Sequence, residues 1–326
     1  MERFSPLFSR GADSLIWVLF SKNKPDNLQM AYDLEGKLVV AISSRALFDL
    51  EEENTIFDEK GLEAYYAYQM ERENELLTPG TGFRLVKNIL KINDYFDGQK
   101  SVEVIIVSRN NSATSLRITK SIEHYNLGIE RSAWTSGAAI AKYLGAFKTD
   151  LFLSANESDV QDAINSGIAA ARIMPCPAAY GEDDEKVRIA FDGDAVLFSE
   201  ESEKIYKEHG LEAFLAHEKQ NALKPLPEGP FAKLLKLLSG IQNRFEIEKS
   251  PIRTALITAR NSPAHERVIR TLHGWNVRID ESFFLGGVEK YEVVKAFGAD
   301  IFFDDQDVHL ESSSKVVPSA KVPYRE

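Results

Sequence analysis

The sequence predicts an α/β protein of the doubly wound type, built as two tandem copies of one unit, the second with a small helical cap. Three observations lead there. Short apolar runs that end abruptly in polar residues alternate with helical stretches, as parallel strands alternate with crossover helices. The same order of elements then recurs at a nearly constant spacing. Finally, one strand-like run stops in Asp192-Gly193-Asp194, which sets two carboxylates at the carboxyl tip of a strand, where open α/β sheets hold ligands.

In chain order, residues 1–37 combine an apolar segment with the polar loop 22–27. Residues 38–42 read as a buried strand that stops at Ser43-Ser44-Arg45. A helical stretch near 59–74 follows, then the turn Thr78-Pro79-Gly80 and a further helix from about Phe83. Residues 102–107 form a second strand ending at Ser108-Arg109-Asn110, and 116–125 a helix. A third strand, 150–153, ends at Ser154, and 160–172 reads as helix. Met174-Pro175-Cys176-Pro177 and the acidic run 181–185 read as a surface linker, dividing the chain into 1–180 and 181–326.

The repeat isolates the chemistry. Gly61-Leu62-Glu63-Ala64 returns as Gly210-Leu211-Glu212-Ala213 (210 − 61 = 149), and Ala41 and Gly80 match Ala190 and Gly229 at the same offset. Further on, Asn111-Ser112 meets Asn261-Ser262 (261 − 111 = 150). On this alignment Asp192 faces Ser43, Asp194 faces Arg45, Asp304 faces Ser154 and Asp305 faces Ala155. Only Thr258 keeps a chemical counterpart, Ser108. Four acids lost together from one copy served one purpose, so the second copy is the expected active site and the first a degenerate, non-catalytic one.

Composition bounds the partners. A chain of 326 residues with 44% hydrophobic and 27% charged residues is ordinary for a globular protein with a well-buried core. A net charge of −11 argues against nucleic acid and against anionic membrane surfaces. The single Cys176 excludes an intramolecular disulfide and fits a reducing compartment, so a cytoplasmic protein is expected. The apolar run 15–20 is too short to span a bilayer, and no secretory signal is evident. The composition says nothing of oligomeric state.

Within the second copy, Asp192-Gly193-Asp194, then Thr258, then Lys290, then Asp304-Asp305 each follow an apolar run. Each has an ordinary alternative: Asp-Gly is turn chemistry, Thr258 could cap a helix, and Lys290 could be a solvated charge. An EF-hand beginning at Asp192 is excluded, because its fifth and sixth positions would be Val196 and Leu197. Taken in order, the four pieces make a phosphoryl-transfer set: a nucleophilic carboxylate, a hydroxyl, a lysine, and acids for a divalent cation.

That order resembles the haloacid-dehalogenase superfamily of phosphatases. More closely, residues 191–198 (Phe-Asp-Gly-Asp-Ala-Val-Leu-Phe), 301–306, 43–49, 155–173 and the tail Val322-Pro323-Tyr324 look like the cytosolic type I 5′-nucleotidases. Tyr291 stands where the family has glycine after the lysine, and Val288-Glu289 where its mammalian members have a proline. The resemblance implies two haloacid-dehalogenase-like copies and Mg²⁺-dependent hydrolysis of nucleoside 5′-monophosphates. In it, Asp192 attacks phosphorus to form an aspartyl-phosphate, and Asp194 protonates the leaving ribose oxygen and later activates water. Asp192, the Asp194 backbone carbonyl and an acid of Asp304-Asp305 (Asp305 favoured) hold Mg²⁺. Thr258 and Lys290 bind the transferring phosphoryl oxygens.

Residues 199–250 are expected to form the cap, closing over the site. Tyr206, Phe214 and His217 could stack on a base or form the cap's own core. No histidine spacing suggests zinc, and Gly80-Thr81-Gly82 is no dinucleotide loop. In the first copy Ser43, Arg45, Ser108 and Arg109 stand where acids were lost. Arginine pairs with phosphate through two hydrogen bonds, so these residues suggest an anion site for a nucleotide effector. Rival functions are a phosphatase of another small ester, such as a sugar phosphate, and a nucleotide-binding regulatory protein with vestigial chemistry.

Overall fold

The computed structural model describes residues 32–177 and 186–325. The expectations for the apolar opening segment and the acidic part of the linker lie outside the described residues. Apolar β-branched runs supply the strands. β1 (Leu38–Ile42) is buried throughout, as five consecutive apolar residues dictate. It is followed by a short α1 (Ser44–Leu47) capped by the Ser43 hydroxyl, by α2 (Glu51–Glu71) and by α3 (Phe83–Lys91). Then come β2 (Val102–Ser108), α4 (Leu116–His124), β3 (Arg131–Trp134), α5 (Ala141–Ala146), β4 (Leu151–Ser154), α6 (Glu157–Asn165) and β5 (Ala169–Ile173).

The second half repeats the order. β6 (Val187–Phe191) leads through an irregular turn, Gly193–Leu197, to α7 (Glu201–Gln220) and α8 (Ala232–Gln242). β7 (Ile252–Thr258), α9 (His265–Gly274), β8 (Glu281–Phe284), α10 (Tyr291–Phe297), β9 (Ile301–Asp304), α11 (Asp307–Ser313) and β10 (Ser319–Lys321) complete it.

Among the described residues all ten strands form one sheet, ordered β3-β2-β1-β4-β5-β10-β9-β6-β7-β8. Every neighbouring pair is parallel except β5 and β10, which meet antiparallel with Ile173 opposite Ala320. The order is the same on each side of that seam. Two ion pairs cross it reciprocally: Arg84 in α3 reaches Asp300 before β9 (2.7 Å), and Lys233 in α8 reaches Asp150 before β4 (2.8 Å). The described residues from 34 onward form a single compact unit.

Several elements differ from the sequence expectation. The segment 160–172 is not one helix: α6 ends at Asn165, Gly167 takes a left-handed turn (φ 80°), and residues 169–173 enter the sheet as β5. Its small apolar residues suit a strand buried on both faces as well as a helix, and the glycine decides. The helix expected near 59–74 begins earlier, at Glu51, and is broken at Gly61 (φ 81°, ψ −178°). α7 is broken the same way at Gly210 (φ 79°, ψ −178°). Of residues 199–250, expected to be cap, α8 belongs to the body. Its Leu234, Leu235 and Leu238 are buried in the main core, and Phe231 beside it packs on Phe303 (ring centroids 4.8 Å).

Candidate active site

The carboxyl ends of β6, β7 and β9 converge on one point. β6 stops at Phe191, whose ring stacks on Phe303 of β9 (5.6 Å), and pairs with β7 and β9 in register. That register carries Asp192 next to Asp304 and Asp305, and the backbone N–H of Asp192 donates to the Phe303 carbonyl (2.8 Å). One carboxylate oxygen from each of Asp192, Asp304 and Asp305 lies within 4.8 Å of the others, and all three residues are buried. Lys290, at the start of α10 and 2% exposed, donates to Asp192 Oδ1 (2.8 Å) and Asp304 Oδ2 (2.7 Å).

Three carboxylates and one ammonium leave a buried excess of negative charge. Burial pushes the Asp192 carboxyl well above its ordinary value, against the pull of Lys290, and the neighbouring acids push the same way. Burial and Asp304 likewise push Asp305 up to about 7. Lys290 is held above its ordinary value because Asp192 and Asp304 outweigh the opposing effect of burial. A divalent cation would relieve this strain between charges.

The two acids of the Asp304-Asp305 pair are not equivalent. Asp304 has both oxygens engaged, one by Lys290 and one by the Gln306 backbone N–H (2.9 Å). Asp305 binds the Tyr324 hydroxyl through Oδ2, while its Oδ1 is buried without a partner. A buried oxygen left unmatched costs about 1–3 kcal/mol, so Oδ1 is the atom that a bound cation would satisfy. Tyr324 also lies 3.0 Å from Glu203 Oε2 in α7, and its single proton cannot serve both acids at once. The donors are oxygen only, which suits a hard cation such as Mg²⁺.

Thr258 ends β7, 1% exposed, and its hydroxyl accepts from the Arg260 backbone N–H (3.3 Å). It lies under Gly193, where a Cβ would stand 3.2 Å from Thr258 Oγ1, so only glycine lets the strand tips approach without displacement. Asp194 stands apart from the three-carboxylate cluster. Arg260 grips its carboxylate with both prongs, Nε to Oδ2 (2.8 Å) and Nη2 to Oδ1 (2.6 Å). Arg260 reaches on to Glu218 in α7 (2.5 Å), which also binds Arg267 (2.9 Å) and the Ser202 hydroxyl (2.9 Å). Two arginines and two acids thus link the strand tip to α7 with no net charge.

A cavity of about 410 Å³ opens over these residues. Tyr206, Leu211 and Phe214 of α7 form one wall, and Arg260 lies under the Phe214 ring (5.3 Å). His217 is not on that wall; it hydrogen-bonds its neighbour Glu218 (3.2 Å). The sequence reading missed Arg260, Glu218, Glu203 and the function of Tyr324. The repeat held the signal: Arg260 and Glu218 face neutral Asn110 and Gln69 at offsets of 150 and 149 (260 − 110, 218 − 69), as Asp192 and Asp304 face Ser43 and Ser154.

The first half has a cavity of about 480 Å³ at the matching strand tips, and Ser43, Arg45, Ser108 and Arg109 all line it. Its arginines are engaged, Arg45 in a fork with Glu51 (2.7 and 2.6 Å) and Arg109 with Asp159 (2.9 Å).

A mostly parallel sheet with buried carboxylates and a buried lysine at its carboxyl edge defines an α/β protein equipped to hold a cation beside an anion. Comparison with known proteins narrows the class. A family model described as 5′-nucleotidase matches residues 30–326. Human cytosolic 5′-nucleotidase 1B is 37% identical over 292 residues, covering 86% of this chain and 48% of that protein. The chain therefore belongs to the 5′-nucleotidase family, and it spans about half the length of the curated relative it matches. Among solved structures, histidinol dehydrogenase from Elizabethkingia anophelis covers 72% of the chain and 48% of its own at 12% identity. Its TM-score of 0.23 is too low to carry an argument. No helix among the described residues is long and apolar enough to cross a membrane.

Proposed function

We propose that this chain is a Mg²⁺-dependent 5′-nucleotidase that hydrolyses nucleoside 5′-monophosphates to nucleoside and phosphate through an aspartyl-phosphate. Family membership supports the reaction class, and one observation carries the metal: the partnerless buried Oδ1 of Asp305 beside Asp192. Asp192, Asp305 and the Asp194 backbone would hold Mg²⁺, with Asp304 orienting Lys290 rather than ligating. When bound, the ion neutralises charge on the transferring phosphoryl group.

The chain's own residues do the remainder. An Asp192 oxygen attacks phosphorus as the bond from phosphorus to the ribose 5′-oxygen breaks, and Asp194 supplies the proton that the leaving oxygen takes up. Both Asp194 oxygens are engaged by Arg260, so proton delivery requires one prong of that fork to open. Water then attacks the aspartyl-phosphate and gives its proton to Asp194, releasing phosphate and restoring Asp192. Lys290 and Thr258 hold the phosphoryl oxygens throughout. α7 acts as the cap, excluding water and offering its aromatic wall to the base.

The aromatic wall favours a nucleotide over a sugar phosphate, because stacking needs a flat π-face. A panel of nucleoside monophosphates and sugar phosphates, assayed for phosphate release with Mg²⁺, tests this. Preferential release from the nucleotides is expected, and sugar phosphates turned over as well or better would refute the substrate class. No release from any ester would leave the vestigial regulatory alternative. The repeated strand order and reciprocal ion pairs also support a tandem duplication with copies at 1–180 and 181–326. Such reciprocity is what a two-fold interface between identical units produces. A cytoplasmic location is proposed with it, from the single cysteine.

A further inference from the structure

The cavity in the first half differs from the catalytic one in a patterned way. On the alignment at 149 and 150, Phe57, Leu62 and Tyr65 stand where Tyr206, Leu211 and Phe214 form the catalytic wall. The correspondence is geometric as well. Phe57 and Tyr65 meet edge to face at 5.9 Å and 84°, and Tyr206 and Phe214 meet edge to face at 6.2 Å and 84°. Asn111 and Asn261 also hold matching places.

The phosphate end has been erased in both signs. Ser43, Ser154 and Ala155 replace Asp192, Asp304 and Asp305, Arg45 replaces Asp194, and buried Ile140 stands at the start of α5 where Lys290 starts α10. The two arginines at these strand tips are neutralised by Glu51 and Asp159, so they offer no excess positive charge. What remains is a row of uncharged groups. Ser44 Oγ lies 3.0 Å from Ser108 Oγ and accepts from Asn110 (3.3 Å), and Tyr65 donates to Asn110 Oδ1 (2.9 Å).

We infer that this cavity binds an uncharged nucleoside, the class of molecule the catalytic half releases, and not a nucleotide or free anion. The assignment rests on the nucleotidase reading above, since that reading gives the shared wall its ligand. Aromatic and leucine side chains face the base, and the serine and asparagine row matches ribose hydroxyls. A cavity of about 480 Å³ lies in the usual size range for small-molecule sites.

Equilibrium dialysis with the four common ribonucleosides tests the inference on the full chain. The double variant Tyr206→Ala/Leu211→Ala removes the catalytic wall, and Phe57→Ala/Leu62→Ala removes the other. All four side chains are substantially exposed, so neither variant opens a core cavity. Saturable binding should survive the first variant, weaken at least about tenfold in the second, and resist displacement by inorganic phosphate. Two results overturn the inference: no nucleoside saturating the Tyr206→Ala/Leu211→Ala protein, or phosphate displacing the nucleoside competitively. Nucleotide hydrolysis by the unaltered protein is measured alongside. Intact hydrolysis without second-site binding refutes this inference alone, whereas absent hydrolysis refutes the catalytic reading.

Discussion

Glu218→Gln removes the one acid that two buried arginines share. Glu218 is fully buried, and Arg260 and Arg267 are 2% and 4% exposed at their side chains. After substitution Arg260 keeps Asp194, but Arg267 keeps only the Lys224 carbonyl (3.0 Å) and the new amide, neither of which is a counter-charge. Breaking a buried pair from one side costs about 3–5 kcal/mol, and the amide's retained hydrogen-bonding capacity argues for the lower end, about 3 kcal/mol. In urea denaturation that corresponds to a midpoint shift of roughly 1 M, for a slope near 3 kcal/mol/M.

The first half supplies the rescue. There Arg117 holds the place of Arg267, neutral Gln69 that of Glu218, and the acid has moved to Glu53, where Ser202 stands in the second half. Ser202→Glu/Glu218→Gln should therefore regain more than half of the lost stability. Acid also separates the cases. Arg260, Ser202 and Arg267 together outweigh burial, which alone would raise Glu218, and hold its carboxyl below the ordinary value. A carboxyl lowered by folding stabilises above its unfolded pKa of about 4.3 and loses that contribution as pH falls below it. The gap between wild type and Glu218→Gln should shrink over that window. A loss under about 0.5 kcal/mol at pH 7, the range of surface substitutions, or a double variant no better than the single, would refute the reasoning.

Asp192→Asn should lower nucleotide hydrolysis by at least about 10⁴-fold with unchanged circular dichroism; a rate near wild type contradicts covalent attack. Chelator should abolish activity and Mg²⁺ or Mn²⁺ restore it, whereas full activity in excess chelator would sink the metal assignment. Asp305→Asn should raise the Mg²⁺ concentration for half-maximal activity by at least about tenfold, an unchanged requirement counting against ligation through Oδ1. Phe303→Ala, whose ring packs on both Phe191 and Phe231, should cost about 3–5 kcal/mol in denaturation experiments.

Strands with apolar runs were legible because residues 38–42, 102–107 and 150–153 are too short for helices and bounded by polar residues. β3 (Arg-Ser-Ala-Trp) and β10 (Ser-Ala-Lys) were not, since their edge or seam positions are set by pairing rather than by apolar pattern. The split of 160–172 turned on one glycine. Within the site, acids at strand tips announced themselves because a carboxylate ending an apolar run has few structural reasons to be there. Arg260, Glu218 and Tyr324 come from a loop, a helix and the tail, and only tertiary packing joins them. Their charge was visible, but the pairing was not.

On the proposed duplication, the way the first half would have lost its chemistry follows from the electrostatics of the second. Lys290 is almost wholly buried, and two carboxylates are what keep it charged there. Removing those acids alone would strand an ammonium in the core at a cost of several kcal/mol; removing Lys290 alone would leave three crowded carboxylates. Neither intermediate is stable unless the other change comes close behind. Ser43, Ser154, Ala155 and Ile140 in the first half are the neutral end of that coupled path. Thr258 carries no charge, so nothing forced its counterpart to change, and Ser108 remains a hydroxyl. By the same logic, Lys290→Ile in the second half should destabilise the protein, and adding Asp192→Ser and Asp304→Ser should recover part of the loss. Additive losses across the three substitutions, measured by urea denaturation, would show that the charges are not coupled and that the paired disappearance needs another cause.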